Sequence, residues 1–296
     1  MCQQDIDFSA LEDVFDLGRR VSTNLRFVYE NFIKTILSKA QISGKRIGAL
    51  VLEPVFIGAG GFKLVDVLFQ HVLVKLCKEA GIPVVYDEVA VGMYRVGPNS
   101  TIRMLQQTPE IAVYGKLVTG GYLPLSITLT TEETFNSFKS DEKSKALLHG
   151  HSYTANPITC AAALEAVRRY HSYETYDQIK DSIHASFQAS DARRISLLPG
   201  VDSAVCLGSI LTVDLAASTI SVDSPLKSPA VRVVEILRRR GIYARPLGNT
   251  VYVMTSQVTS PNAAGAVLDA LEHSILHANT GGESSLSWSC NGAAAV

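Results

Sequence analysis

Ile111-Ala112-Val113-Tyr114-Gly115-Lys116-Leu117-Val118-Thr119-Gly120-Gly121 is the stretch on which the reading of this chain turns. An apolar run ends at a glycine, and a lysine follows it before the chain enters a glycine pair. Lysine is a poor packing choice at the end of a buried strand. Glycines on both sides let a bulky group approach the backbone. Lys116 reads either as a solvated loop lysine or as a reactive amine, because a lysine desolvated at a strand end has a lowered pKa and becomes a usable nucleophile. Its surroundings decide between the two.

Upstream, Ile47-Gly48-Ala49-Leu50-Val51-Leu52 and Pro83-Val84-Val85-Tyr86 are apolar runs without polar alternation. Such strands are buried on both faces, as in a parallel sheet. Residues 24–40 carry Leu25, Val28, Tyr29, Phe32, Ile33, Ile36 and Leu37 at helical spacing, and a second helix is expected over about 64–80. Strand, helix, strand, connection, strand is the pattern of right-handed crossovers in an α/β fold. Ligands of such sheets sit off the carboxyl ends of the strands. Glu53, Asp87 and Lys116 fall at three successive strand ends.

After Thr130, helices are expected at about 131–138, 157–171 and 174–189. Short strands at Ile210–Leu215, Ile242–Ala244 and Val251–Met254, with helices near 229–240 and 261–277, point to a smaller α+β domain. The expected division is a large domain over 1–199, a small domain over 200–278 and a disordered tail over 279–296, rich in Gly, Ser, Asn and Ala.

The 296 residues suffice for one large or two medium domains. A net charge of −1 gives no electrostatic reason to expect nucleic acid or an anionic membrane as partner. Five scattered cysteines without a CxxC pair argue against a metal site or a disulfide framework and favour a reducing compartment. No apolar run approaches the roughly 20 residues of a membrane span. The acidic start, Asp5-Ile6-Asp7 through Glu12-Asp13, suits neither a transit peptide nor a secretory signal.

Asp87 reads as a helix N-cap or as a carboxylate that holds a ring nitrogen protonated. Val89, two residues on, would share its side and pack on a ring face. Glu88 alone says nothing. In Leu148-His149-Gly150-His151-Ser152-Tyr153-Thr154-Ala155-Asn156-Pro157, hydroxyls beside a helix start suit a phosphate, or Thr154 or Asn156 simply caps the helix. The two histidines lack a matching carboxylate or cysteine ligand. Arg245 reads as a surface arginine or as a planar fork for a substrate carboxylate.

Glu53-Pro54-Val55 with Gly58-Ala59-Gly60-Gly61, Asp87-Glu88-Val89, Gly115-Lys116 with Thr119-Gly120-Gly121, His149-Gly150 and Arg245-Pro246 resemble the class III aminotransferases of fold type I. Within that family, Leu64-Val65-Asp66 with Leu68-Phe69-Gln70, Lys145 through Tyr153, and Arg245-Pro246-Leu247-Gly248-Asn249 are most similar to the diaminopelargonic acid aminotransferases, in the eukaryotic form fused behind a dethiobiotin synthetase domain. The resemblance covers about residues 11–275.

The resemblance implies a pyridoxal 5'-phosphate enzyme of biotin synthesis that moves the amino group of S-adenosylmethionine to 7-keto-8-aminopelargonate. It implies a homodimer and a mitochondrial location, with a cytoplasmic one as the alternative. By the family pattern Lys116 is the Schiff-base lysine and proton shuttle, and Asp87 pairs with the pyridine nitrogen. Val89 packs on the ring, and Ser152 reaches the phosphate of the partner subunit's cofactor. Arg245 holds the keto-substrate's carboxylate, and Glu53 lies near the cofactor. The family also carries a preceding segment with a Gly-Ser phosphate loop and pocket aromatics, so the chain is expected to be N-terminally truncated relative to it. Two alternatives stay open: a non-catalytic paralogue acting as a dimer partner, and a class III aminotransferase with a different donor.

Overall fold

A computed structural model describes residues 8, 10–171, 186–216 and 228–280. The chain forms two compact units. The first comprises residues up to Ile57, Leu64–Met93 and Pro98 onward through the described residue His171. The second takes Gly58–Lys63, Tyr94–Gly97 and the described residues from Ser186.

The first unit opens with helices α1 (Leu11–Phe15), α2 (Leu17–Arg20) and α3 (Asn24–Ile42). Strand β1 (Leu50–Leu52) follows, then the short β2 (Phe56–Ile57) and β3 (Lys63–Leu64), which pair with each other. Next come α4 (Val67–Glu79), β4 (Val84–Asp87), α5 (Ile102–Leu105), β5 (Ile111–Tyr114), β6 (Ile127–Thr130), α6 (Glu132–Asn136) and α7 (Pro157–Tyr170). The sheet order is β1-β4-β5-β6. The first three strands run parallel, with Leu52 opposite Tyr86 and Asp87 opposite Val113, and β6 is antiparallel to β5.

Apolar residues and caps explain these elements. Asp66 starts α4 by accepting from Leu68 N–H at 2.9 Å, and Val67, Leu68, Val72, Val74 and Leu76 are buried along that helix. The same carboxylate takes a two-pronged bond from Arg20, 2.7 Å on each prong, and a third from Tyr29 Oη at 2.7 Å. Tyr29 packs edge-on against Phe69 with centroids 5.4 Å apart, tying α3 to α4. Asn156 caps α7, accepting from Ile158 and Thr159 N–H, and Pro157 occupies the first turn.

The second unit is an antiparallel sheet of order β7-β8-β10-β9, formed by β7 (Val201–Leu207), β8 (Ile210–Leu215), β9 (Arg245–Leu247) and β10 (Thr250–Met254). Helices Ala189–Ser196, Pro229–Arg239 and Pro261–Thr280 cover a core of Ile195, Leu211, Val213, Leu237, Val251 and Leu271. Gly208 closes the β7–β8 hairpin at φ 61°, where a Cβ would lie 2.4 Å from the Arg95 carbonyl oxygen. No side chain but hydrogen fits there.

Several expectations are corrected. The strand read at 47–52 is confined to Leu50–Leu52, which among the described residues pairs with β4 only, and Val51 is 68% exposed rather than buried. The strand expected at Ile242–Ala244 forms instead at Arg245–Leu247, whose backbone faces β10. Strands β6 and β7 and the helix Ala189–Ser196 were not anticipated. That helix packs on β7 and buries Ile195, so the described part of the second unit begins ahead of Pro199-Gly200. The helix expected over 174–189 lies largely outside the described residues. The tail does too, although the final helix continues through Asn279 to Thr280. Among the described residues no helix is long and apolar enough to cross a membrane.

Candidate active site

Parallel pairing of β1, β4 and β5 brings Glu53, Asp87 and Gly115-Lys116 to the same end of one sheet. Strand β5 stops because Gly115, in extended conformation at φ −155°, leads into a tight turn over Lys116–Thr119. Lys116 sits at φ 44°, a left-handed conformation costly for a residue with a Cβ. The turn is held from below. Leu117, Val118 and Thr119 are buried, Tyr170 Oη of α7 donates to the Leu117 carbonyl at 2.8 Å, and Thr119 Oγ1 donates to the Leu123 carbonyl at 2.6 Å. Lys116 itself is exposed on this fixed floor, so the desolvation expected of it at a strand end is absent.

Asp87 ends β4 half-buried, and its Oδ1 accepts from Val89 N–H at 3.1 Å. Val89 lies in the turn beyond the strand, so that hydrogen bond, rather than strand alternation, fixes its place beside Asp87. A Cβ built on Gly115 would stand 3.2 Å from Val89 Cγ1. The valine therefore packs directly over the residue that precedes the lysine.

Glu88, passed over in the sequence, is 1% exposed. Its Oε1 accepts from Ser100 Oγ at 2.7 Å and Tyr114 Oη at 3.0 Å, and its Oε2 from Thr101 N–H at 2.8 Å. Its own N–H donates to the Val113 carbonyl. Burial, opposed by Ser100 and reinforced by the Glu88 charge, pushes the Tyr114 hydroxyl up to about 12. The missed signal was the two-residue period carried one residue past β4: Val84, Tyr86 and Glu88 form the buried set, with Val85 and Asp87 between them.

Glu53 is half-buried just past β1, and its carbonyl accepts from Gln70 Nε2 at 2.9 Å. Gln70 Oε1 accepts from Val55 N–H at 2.8 Å, holding Val55 at φ 68°. Ser152 is exposed in the turn before α7. The N–H groups at the start of α7 are taken by Asn156, while Thr154 Oγ1 accepts from His151 N–H. Arg245 is exposed at the start of β9, in the second unit.

The second unit also holds a cavity of about 630 Å³, lined among others by Gly60, Gly61, Lys63, Asp214, Asn249 and Thr250. Burial raises the Asp214 carboxyl, but Lys63 at 2.5 Å, Thr250 and Ser203 outweigh it and hold it below the usual carboxylate range. Among the described residues no three His, Cys, Asp or Glu side chains are placed to hold a metal ion.

The profile of the class-III aminotransferases matches residues 21–275. The chain belongs to this family. A class-III aminotransferase depends on pyridoxal phosphate, and the residues at the sheet end fit that group. They supply an exposed primary amine, a carboxylate on the adjacent strand and a glycine whose missing Cβ leaves the valine beside them in place.

The chain is 40% identical over 266 residues to the mitochondrial bifunctional dethiobiotin synthetase/7,8-diamino-pelargonic acid aminotransferase of Oryza sativa subsp. japonica. The match covers 88% of this chain and 32% of the rice protein. It is 29% identical to the adenosylmethionine-8-amino-7-oxononanoate aminotransferase of Methanocaldococcus jannaschii, covering 83% of this chain and 55% of that protein. The crystal structure of the enzyme of that name from the same archaeon superposes with a TM-score of 0.71 at 28% identity, over 82% of this chain and 57% of that one. The chain thus spans about a third of the plant relative and just over half of the archaeal one.

Proposed function

We propose that this class-III aminotransferase chain carries the transamination of biotin synthesis, moving an amino group from S-adenosylmethionine to 7-keto-8-aminopelargonate to give 7,8-diaminopelargonate. The observation that carries the reading is the placement of Lys116 and Asp87 at adjacent parallel strand ends. The names of the rice and archaeal relatives narrow the substrates.

Bound pyridoxal phosphate supplies an electron sink for the carbanion left when an amine loses its α-proton. Lys116 offers Nζ as the covalent anchor and, once free, as the base that takes that proton and returns it. The Asp87 carboxylate keeps a proton on the ring nitrogen, which is what makes the ring a sink. Val89 supplies an apolar face against the ring. Ser152 donates its hydroxyl to a phosphate, the partner subunit's in a homodimer. Glu53 lines the cofactor side, and Arg245 binds the keto acceptor's carboxylate through its fork. A mitochondrial location, as in the name of the rice relative, belongs to the same proposal.

The test is turnover by the purified chain supplied with pyridoxal phosphate and 7-keto-8-aminopelargonate, with S-adenosylmethionine, lysine or alanine as donor. Diaminopelargonate formed with S-adenosylmethionine supports the reading. Product with lysine or alanine alone reassigns the donor. Well-folded protein that takes up no cofactor overturns the reading.

A further inference from the structure

Glu88 is an unusual residue to find beside a catalytic lysine and aspartate. A carboxylate buried to 1% exposure is expensive unless its oxygens are met. Among the described residues no ion pair involves it. Two hydroxyls and one backbone N–H take its place, at 2.7, 3.0 and 2.8 Å.

These donors come from two parts of the first unit, and the acceptor from a third. Tyr114 is the last residue of β5, two before Lys116, and Ser100 and Thr101 precede α5. Glu88 itself follows Asp87, and its N–H holds the Val113 carbonyl at 2.9 Å. The Tyr114 ring packs against Gly92. Gly92 closes in on it so tightly that a Cβ there would meet ring carbon Cδ1 at 2.9 Å and the Glu88 carbonyl at 2.9 Å.

Resting on the transaminase reading above, we infer that Glu88 is a positioning residue: its buried carboxylate ties the end of β4 to the end of β5 and so sets the spacing between the Asp87 carboxylate and the Lys116 amine. It touches neither cofactor nor substrate. It acts through Tyr114 on one side and through the chain bond to Asp87 on the other.

Glu88→Gln keeps the size and one acceptor but puts a donor where hydroxyl or N–H hydrogens already point. Tyr114→Phe removes one of the three donors and leaves the ring. Both are made in the full chain and read by pyridoxal phosphate titration and by amide hydrogen exchange. Loss of a hydrogen bond to a buried charge predicts about tenfold or more weaker cofactor binding in E88Q. It also predicts about tenfold faster exchange over residues 113–117, with residues 201–215 unchanged. Exchange over 113–117 within about twofold of the parent, or an even rise over the whole first unit, would overturn the inference. If the parent chain takes up no cofactor, the transaminase reading fails, and the exchange pattern alone decides whether Glu88 joins the strand ends. If E88Q does not fold, Y114F decides by the same exchange criterion.

Discussion

At residue scale, the lysine turn depends on side chains that are absent as much as on those present. Gly115 is tolerated at a strand end because Val89 occupies the space a Cβ would need. Gly115→Ala should push Val89 off its seat and cost about 1–3 kcal/mol, the range for overpacking. Unfolding in denaturant should show the loss, and cofactor titration should show weaker binding, since Val89 is the proposed ring contact. Unchanged affinity would remove Val89 from that role. Lys116, Asp87 and Gly115 were legible because a charged residue at the end of an apolar run needs a reason. Glu88 was not legible, because a second acid beside Asp87 looks like solvent-facing charge until burial shows that it points inward.

At element scale, α7 holds the lysine turn by a bond from Tyr170 Oη to the Leu117 carbonyl. Tyr170→Phe should lower stability by about 0.5–1.5 kcal/mol, a typical net value for one hydrogen bond. Calorimetry of the variant should show the shift, and no change would mean that the bond does not hold the turn. The Asp66 cluster gives a pH prediction. Burial raises that carboxyl, but bonds from Arg20, Tyr29 and Leu68 N–H outweigh it and depress it below the usual range. A depressed carboxyl stabilises the fold above its unfolded value, about 3.9, and the contribution is lost as pH falls through the folded value. The stability gap between the parent chain and Asp66→Asn should be widest near neutral pH and close below about pH 4. A gap that stays constant from neutral to acid would contradict this.

The elements themselves were legible to different degrees. Helix α3 followed from periodicity, α4 from the glycine that closes it, α7 from its cap and Pro157, and β4 and β5 from their apolar runs. Strand β6, reading Ile127-Thr128-Leu129-Thr130, was missed because its side chains are exposed and its pairing with β5 is set by tertiary contact. Strand β7 carries Asp202 and Ser203 among its apolar residues and gains its identity from the hairpin closed at Gly208.

For the whole molecule, the proposal divides the work between the two units. The first holds the groups assigned to the cofactor, and the second holds Arg245, assigned to the acceptor's carboxylate. Arg245→Lys keeps the charge but loses the fork, and should raise KM for 7-keto-8-aminopelargonate by about 10- to 100-fold while leaving the cofactor absorbance intact. A fall in kcat with KM unchanged would move Arg245 out of substrate binding.

In the proposed reaction Lys116 is the covalent anchor. Its most direct test is borohydride reduction of the chain loaded with pyridoxal phosphate, followed by peptide mass mapping. Visible absorbance should be bleached and the reduced pyridoxyl group found on Lys116. A label spread over surface lysines, or placed on another lysine with Lys116 unmodified, would contradict it.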